Sequence, residues 1–207
     1  NVTPSGFSLS YHEKVGMQAK QHLRQKGLLL KRPYVVLHPF SGWHFRSWPL
    51  ERFVEVAHAI LAHAPGYEVI LLCEDREARL LESVRPMFDG RDGVRFVASD
   101  DLVTTACLMH GAAVVVGNDS GPLHLAAALG VPVVGLFGPA PPSLTAPRNV
   151  QGTLLYHPVE CSPCDQWVCI RPHASCMTMI PVADVVQSVL RQLSHQPVAQ
   201  PIAHVEG

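Results

Sequence analysis

The hydrophobic positions of the chain alternate between short continuous apolar runs and longer stretches with helical spacing. Apolar runs that predict buried strands lie at residues 34–38, 67–73, 94–97, 113–117 and 131–138. Helical spacing or capping residues mark the stretches at 51–64, 75–87, 100–110, 121–129 and 184–193. Strands that alternate with helices form right-handed crossovers and a parallel sheet. The pattern therefore predicts a doubly wound α/β domain, Rossmann-like, with both faces of its sheet covered.

The two ends of the chain differ from this central pattern. Within residues 1–31, positions 11–30 have a helical pattern, which we interpret as an inter-domain connecting helix or linker. The domain itself is predicted over residues 32–194, and residues 195–207, rich in Pro, Gln and Ala, are predicted to form a loosely ordered tail. Because the chain opens with Asn1 rather than Met, we expect a piece of a longer product, although trimming would leave the same start.

Composition and charge exclude several classes of function. Sixteen basic and 17 acidic residues give a formal net charge of -1, whereas nucleic-acid-binding domains usually carry a basic excess. No apolar stretch is long enough to span a membrane, and the N-terminus lacks the apolar core of a signal peptide. We therefore expect no nucleic-acid partner, no transmembrane segment, and a cytoplasmic location that includes the periphery of the inner membrane.

The most informative loop follows the fourth predicted strand, where residues 118–124 read Asn-Asp-Ser-Gly-Pro-Leu-His. Gly121 allows a ligand to approach the backbone closely. The free N–H groups and positive dipole end of the helix that begins here form a natural phosphate site. The structural alternative is that Asp119 or Ser120 simply caps the helix while His124 packs against the sheet.

A second candidate loop, residues 38–49, leaves the first strand and enters a helix. Ser41 and Gly42 can offer a hydroxyl and backbone N–H groups to a phosphate, and Arg46 can offer a bidentate guanidinium. The alternative is a surface loop plugged by its aromatic residues, and for Trp48 packing is the favoured interpretation. The fingerprint Gly-x-Gly-x-x-Gly is absent here, which argues against a dinucleotide-binding dehydrogenase.

A carboxylate cluster follows the second predicted strand, at Glu74, Asp75 and Glu77. At this place in a nucleotide-binding fold, a carboxylate can hold the ribose hydroxyls. The alternative is that these acids favour the start of the next helix through its dipole.

Six cysteines divide into two groups. Cys73 and Cys107 lie inside apolar segments and are predicted to be inert core residues. The other four lie in a predicted cysteine-rich loop of the domain (residues 157–177), at Cys161, Cys164, Cys169 and Cys176. Four thiolates suit a tetrahedral Zn²⁺ or an iron ion, which would brace the loop structurally. Two disulfides or free thiols are the alternatives.

Three blocks of residues together resemble glycosyltransferase family 9, the ADP-heptose:lipopolysaccharide heptosyltransferase family. They are His38-Pro39 with Arg46-Ser47-Trp48-Pro49, the run 117–130, and Leu136-Phe137-Gly138-Pro139 followed by Thr145-Ala146-Pro147 and the cysteines. The match extends from about residue 34 to residue 193. The resemblance implies the GT-B architecture of two Rossmann-like domains, of which this chain is similar to the C-terminal, donor-binding half.

The resemblance also implies roles for individual residues. It implies a diphosphate bound by Ser41, Gly42, Arg46, Ser120 and Gly121, a ribose bound by Glu77 or else Glu74, a transferred sugar bound by Asp119, and His124 close behind. The catalytic base is expected in the N-terminal domain, which is absent here, and transfer requires no cofactor. Arg46 stands where the family commonly has Lys, and Cys73 where it commonly has Gly.

The implied function is donor binding in a glycosyltransferase that moves a sugar, a heptose, from a nucleoside-diphosphate donor, with ADP-heptose favoured. The acceptor is a lipopolysaccharide core or a protein, and the N-terminal GT-B domain is the expected partner. Two other classes stay open: a non-catalytic nucleotide-binding module with the same fold, and an interaction module stabilised by metal at its cysteines.

Overall fold

A computed structural model describes residues 21, 23–25, 28, 30, 32–148, 150–164, 167–171 and 175–195. Six strands form one sheet in the order β3-β2-β1-β4-β5-β6, and every neighbouring pair is parallel. The strands are β1 (Tyr34–His38), β2 (Glu68–Cys73), β3 (Val94–Ala98), β4 (Val114–Asn118), β5 (Val133–Phe137) and β6 (Gly152–Tyr156). This order is that of the doubly wound, Rossmann-like fold, as the pattern predicts, and its switch point lies between β1 and β4.

The helices are α1 (Leu50–His63), α2 (Ala78–Glu82), α3 (Leu102–His110), α4 (Gly121–Ala128), α5 (Pro142–Thr145) and α6 (Val182–His195). Two separate apolar clusters cover the two faces of the sheet. One packs α1, α2 and α6 against alternate strand residues such as Val35 and Leu37, and the other packs α3 and α4 against Val36. The continuous apolar strands arise because successive side chains point to opposite, equally buried faces.

Two elements differ from the predicted pattern. The helix predicted at 75–87 is broken into a 3-10 turn (Asp75–Glu77), α2 and a second 3-10 turn (Arg85–Phe88), which contains Pro86. Proline lacks an N–H and cannot continue the preceding α-helical ladder. The pattern also misses β6, an edge strand that begins at Gly152 with φ 129° and is only partly buried, so it has no continuous apolar run.

Some predictions fall on residues outside the described ranges. Of the predicted leading helix at 11–30, residues 21 and 23–25 are helical, and Leu23 belongs to the same buried apolar cluster as Tyr34. The rest of that segment and residues 196–207 of the predicted tail lie outside the description. Within the described ranges, no helix has the length and apolar character needed to cross a membrane.

Candidate functional site

The amino end of α4 carries no side-chain cap. Its N-cap residue, Ser120, is in an extended conformation, and its hydroxyl donates to the carbonyl of Asn118 at 3.2 Å instead of capping the helix. In the described part of the chain, no acceptor bonds the backbone N–H of Ser120 or Gly121. His124 is exposed and does not pack against the sheet. The structural alternative for this loop is therefore wrong, and the helix start is open to an anion.

An ion pair joins the two loops that the sequence singles out. Nη1 of Arg46 lies 3.0 Å from Oδ2 of Asp119, a carboxylate that is only 4% exposed. The hydroxyl of Thr145, in α5, donates to the same oxygen at 2.9 Å. Three loops that follow β1, β4 and β5 thus meet at one carboxylate, with the guanidinium partly open to solvent. Thr145 is a site residue that we did not predict individually, because nothing in its local pattern marks it.

Asn118 lies in the same loop but is completely buried and cannot face a ligand. Its side-chain oxygen accepts from the backbone N–H of Trp48 at 2.9 Å, and its Nδ2 donates to the carbonyl of Pro39 at 2.7 Å. This amide, which we call the Asn118 clamp, holds both ends of the loop containing Ser41 and Arg46. The clamp fixes the position of the candidate phosphate-binding residues, but Asn118 itself does not face the site.

The tip of that loop is open. Gly42 is exposed, and a Cβ built there would meet nothing within 4 Å. The hydroxyl of Ser41 accepts from the backbone N–H of Trp43 at 3.3 Å. Trp48, in contrast, is 1% exposed and donates its indole N–H to the carbonyl of Ile180 at 3.2 Å, as its packing interpretation predicts.

A cavity of about 530 Å³ lies over the carboxyl ends of β1 to β3 and beside the start of α4. Its walls combine polar groups with three leucines. The lining residues are His38, Leu72, Cys73, Glu74, Arg76, Ser99, Asp100, Leu102, Thr105, Gly121, Pro122 and Leu125. A cavity of this size falls in the range of small-molecule sites. Its position beyond the strand ends, next to the switch point, is where doubly wound folds bind ligands.

Of the two candidate ribose carboxylates, the structure places Glu74, not Glu77, in the cavity wall. Glu77 closes a capping box in which its Oε2 accepts from the backbone N–H of Glu74 at 3.2 Å. Burial is the main cause that raises the pKa of Glu77 above its usual value. Glu74 itself lies 2.8 Å from Nε of Arg76, in an exposed pair that a ligand can displace.

His38, the last residue of β1, also faces this cavity, although it is only 5% exposed. Its Nδ1 lies 3.2 Å from the carbonyl oxygen of Phe40. Burial lowers the pKa of His38 from 6.5 to about 4, because the imidazolium loses its hydration. The ring is therefore neutral near pH 7. We did not predict His38 as a site residue, since it reads as the end of a buried strand.

Replacement of His38 by Phe is expected to reduce the acid sensitivity of the fold. Between pH 6.5 and about 4, the unfolded chain binds a proton at His38 that the folded chain does not, so stability falls as the pH falls. Between pH 7 and pH 4.5 the wild type should lose roughly 2 to 3 kcal/mol more unfolding free energy than the variant. Urea unfolding at both pH values measures this difference. The exposed His63→Gln should keep the wild-type loss, and an unchanged loss in His38→Phe would contradict the assignment.

The four clustered cysteines are free thiols that line one cavity of about 380 Å³ together with His44, Phe45 and Ser47. Burial is the main cause that raises the pKa of Cys176. In the described ranges, which omit 165, 166 and 172–174, no group of three or more His, Cys, Asp or Glu side chains is placed to hold a metal ion. The metal site predicted at Cys161, Cys164, Cys169 and Cys176 is therefore not supported by the described residues. Cys73 and Cys107 are buried, as predicted.

The cysteine loop also packs against the block Gly138-Pro139. The hydroxyl of Ser162 donates to the carbonyl of Gly138 at 2.9 Å, and the backbone N–H of Cys164 donates to that of Pro139 at 3.1 Å. A Cβ at Gly138 would lie 2.5 Å from Sδ of Met177, so a larger residue there would force the Met177 side chain to shift. The loop is thus part of the packed domain at the carboxyl edge of the sheet.

The strand order, the uncapped helix start and the cavity beside the switch point define a Rossmann-like domain with a candidate ligand site at its strand ends. The model of glycosyltransferase family 9 (heptosyltransferase) matches residues 3–174. The chain therefore belongs to glycosyltransferase family 9.

Individual relatives agree with this membership. Over 140 residues the chain is 31% identical to lipopolysaccharide heptosyltransferase 3 of Escherichia coli, a match that covers 63% of this chain and 38% of that protein. A family 9 glycosyl transferase structure from Veillonella parvula matches 94% of this chain and 56% of its own, with 21% identity and a TM-score of 0.74. The E. coli heptosyltransferase WaaC, solved with ADP, matches 83% and 48%, with 21% identity and a TM-score of 0.59. The chain thus spans about half or less of each of these proteins.

Proposed function

We propose that this chain is the donor-binding half of a heptosyltransferase and that it holds a nucleoside-diphosphate heptose. The observation that carries the proposal is the uncapped start of α4, which lies between the Arg46 guanidinium and the cavity over β1 to β3. In this proposal the diphosphate lies at the helix start, the nucleoside lies in the cavity, and the sugar lies beyond Asp119.

The electrostatics of the site suit a diphosphate leaving group. As the bond between sugar and phosphate breaks, negative charge develops on the phosphate oxygens. Arg46 and the positive end of α4 are the groups that would stabilise this charge. Arg46 is held by Asp119 in the free chain, so we expect the phosphate to compete for the guanidinium. With these protein groups supplying positive charge, transfer needs no metal ion.

The proposal gives the described residues no role in activating the acceptor. We propose that the general base comes from a second Rossmann-like domain, because this chain covers only about half the length of its family relatives. Donor binding and sugar transfer are then separable properties, and this chain alone should bind donor without turnover.

Relatives favour ADP-heptose as the donor. WaaC is solved with ADP and with ADP-2-deoxy-2-fluoro heptose, and heptosyltransferase 3 takes its name from lipopolysaccharide. By this similarity we propose an adenosine diphosphate donor and a lipopolysaccharide-core acceptor for the complete protein.

Calorimetry with ADP, UDP and GDP tests the proposal on the chain itself. We expect ADP to bind most tightly, and we expect Glu74→Gln to weaken ADP binding by roughly 5- to 20-fold, because a charged acceptor for ribose is lost. Glu77→Gln is the matched control, because glutamine can keep the capping box and Glu77 lies outside the cavity wall. Failure of all three nucleotides to bind would refute the proposal, and equal losses in both variants would refute the role of Glu74.

A further inference from the structure

His38 forms part of the cavity wall at the end of β1, where it pairs in register with Gly117 of β4. Because Gly117 has no side chain, that neighbouring strand position places no side-chain atoms beside His38. His38 is only 5% exposed, yet it lines the cavity. Its imidazole therefore presents little more than one edge to a ligand.

The hydrogen bond at the other edge fixes which nitrogen carries the proton. The carbonyl oxygen of Phe40 can only accept, so Nδ1 of His38 must donate to it. In a neutral ring Nε2 then holds a lone pair and is an acceptor. Among the described residues, no donor forms a hydrogen bond with Nε2. Nε2 is also absent from the fully buried polar atoms that lack a partner, so it keeps some accessible surface. The lone pair therefore faces the cavity.

We propose that Nε2 of His38 accepts a hydrogen bond from a ribose hydroxyl of the bound nucleoside diphosphate. This assignment rests on the donor-binding function proposed above. A neutral acceptor does not attract phosphate oxygens, which belong at the start of α4 and at Arg46. The ribose is the next group along the ligand, and it has two hydroxyl donors. The acceptors in the cavity wall include the carboxylates of Glu74 and Asp100 and the imidazole of His38.

The base would then lie against two of the three leucines of the wall, Leu102 and Leu125. Leu102 is 68% exposed, and Leu125 lies on α4. Apolar side chains suit the faces of a base, whereas an imidazole acceptor suits a hydroxyl. His38 is thus assigned to recognition of the sugar of the nucleotide and not of its base.

A binding cycle between His38 variants and deoxy analogues tests the assignment. Isothermal titration of the wild type with ADP, 2′-deoxy-ADP and 3′-deoxy-ADP should show a loss of about 3- to 10-fold for the analogue that lacks the bonded hydroxyl. His38→Phe should bind ADP with a similar loss and should not lose further affinity for that same analogue. His38→Gln, which keeps an acceptor in reach, should recover most of the wild-type affinity and discrimination.

The other outcomes are equally informative. If the affinity losses from His38→Phe and from each deoxy analogue simply add, the side chain and the hydroxyls are not coupled. That result would overturn the assignment of His38. Coupling to inosine diphosphate in place of the deoxy analogues would also overturn it, because that ligand differs from ADP only in its base. If ADP itself fails to bind the wild type, the proposed function falls and this inference falls with it. Thermal unfolding checks that each variant is folded, and His38→Met replaces the Phe variant if the latter is not.

Discussion

Arg46→Ala should weaken binding of ADP to this chain by about 100-fold, the value of a charge-assisted contact between guanidinium and phosphate. The loss should be smaller at high salt, because the contact is electrostatic and the side chain is partly exposed. Calorimetry or fluorescence titration with ADP at low and high ionic strength measures both effects. For AMP, which lacks the β-phosphate, the difference in affinity between wild type and Arg46→Ala should be much smaller.

Two further variants separate the roles of Arg46. Arg46→Lys keeps the charge but loses the planar pair of donors, so we expect an intermediate loss of about 5-fold. Arg191→Ala removes an exposed arginine from α6 and should leave ADP affinity unchanged. If Arg46→Ala binds ADP as tightly as the wild type, Arg46 is only the counter-ion of Asp119, and the diphosphate site must be placed elsewhere.

Trp48→Ala should cost about 3 to 5 kcal/mol of unfolding free energy, the range for a buried aromatic residue reduced to alanine. Trp48 is 1% exposed, and its ring meets Phe53 edge-on with centroids 5.1 Å apart. Its indole N–H also bonds the carbonyl of Ile180, which would lose that partner. Chemical denaturation measures the loss, and ADP titration below the denaturation midpoint should show weaker binding because the loop end is released.

Trp43→Ala is the control within the same loop. Trp43 is 44% exposed, so its removal should change the unfolding free energy by less than about 1 kcal/mol. A comparable destabilisation by both substitutions would show that the whole loop, and not the Trp48 anchor, carries the packing energy.

The parallel, doubly wound sheet could be predicted because five of its six strands are apolar runs between helical stretches. Val114–Asn118 and Val133–Phe137 illustrate this, since every position in both strands is buried. The edge strand Gly152–Tyr156 could not be predicted, because it is covered on one edge only and has no such run. The break in the helix at 75–87 depends on Pro86 and on the local capping box, which a periodicity over the whole stretch conceals.

The candidate site could be predicted only in part. Arg46 and Asp119 stand out in the sequence because each follows a strand and has a side chain suited to phosphate or sugar. Thr145 does not stand out, because its role depends on a contact 26 residues away in sequence. The choice between Glu74 and Glu77 depends on which carboxylate also lines the cavity, because both side chains take part in the capping box of the 3-10 turn. His38 depends on a tautomer, which only the position of the Phe40 carbonyl determines.

The Asn118 clamp has a consequence for affinity. One buried amide joins the carbonyl of Pro39 to the N–H of Trp48, so it closes the phosphate loop into a ring at its base. The entropy of bringing the ends of that loop together is lost when the chain folds, not when the ligand arrives. The site is in this sense preorganised, and a ligand has to order only the open tip around Ser41 and Gly42. A flexible loop would lose conformational entropy when the ligand binds, and this loss would weaken affinity. The clamped loop avoids most of that loss.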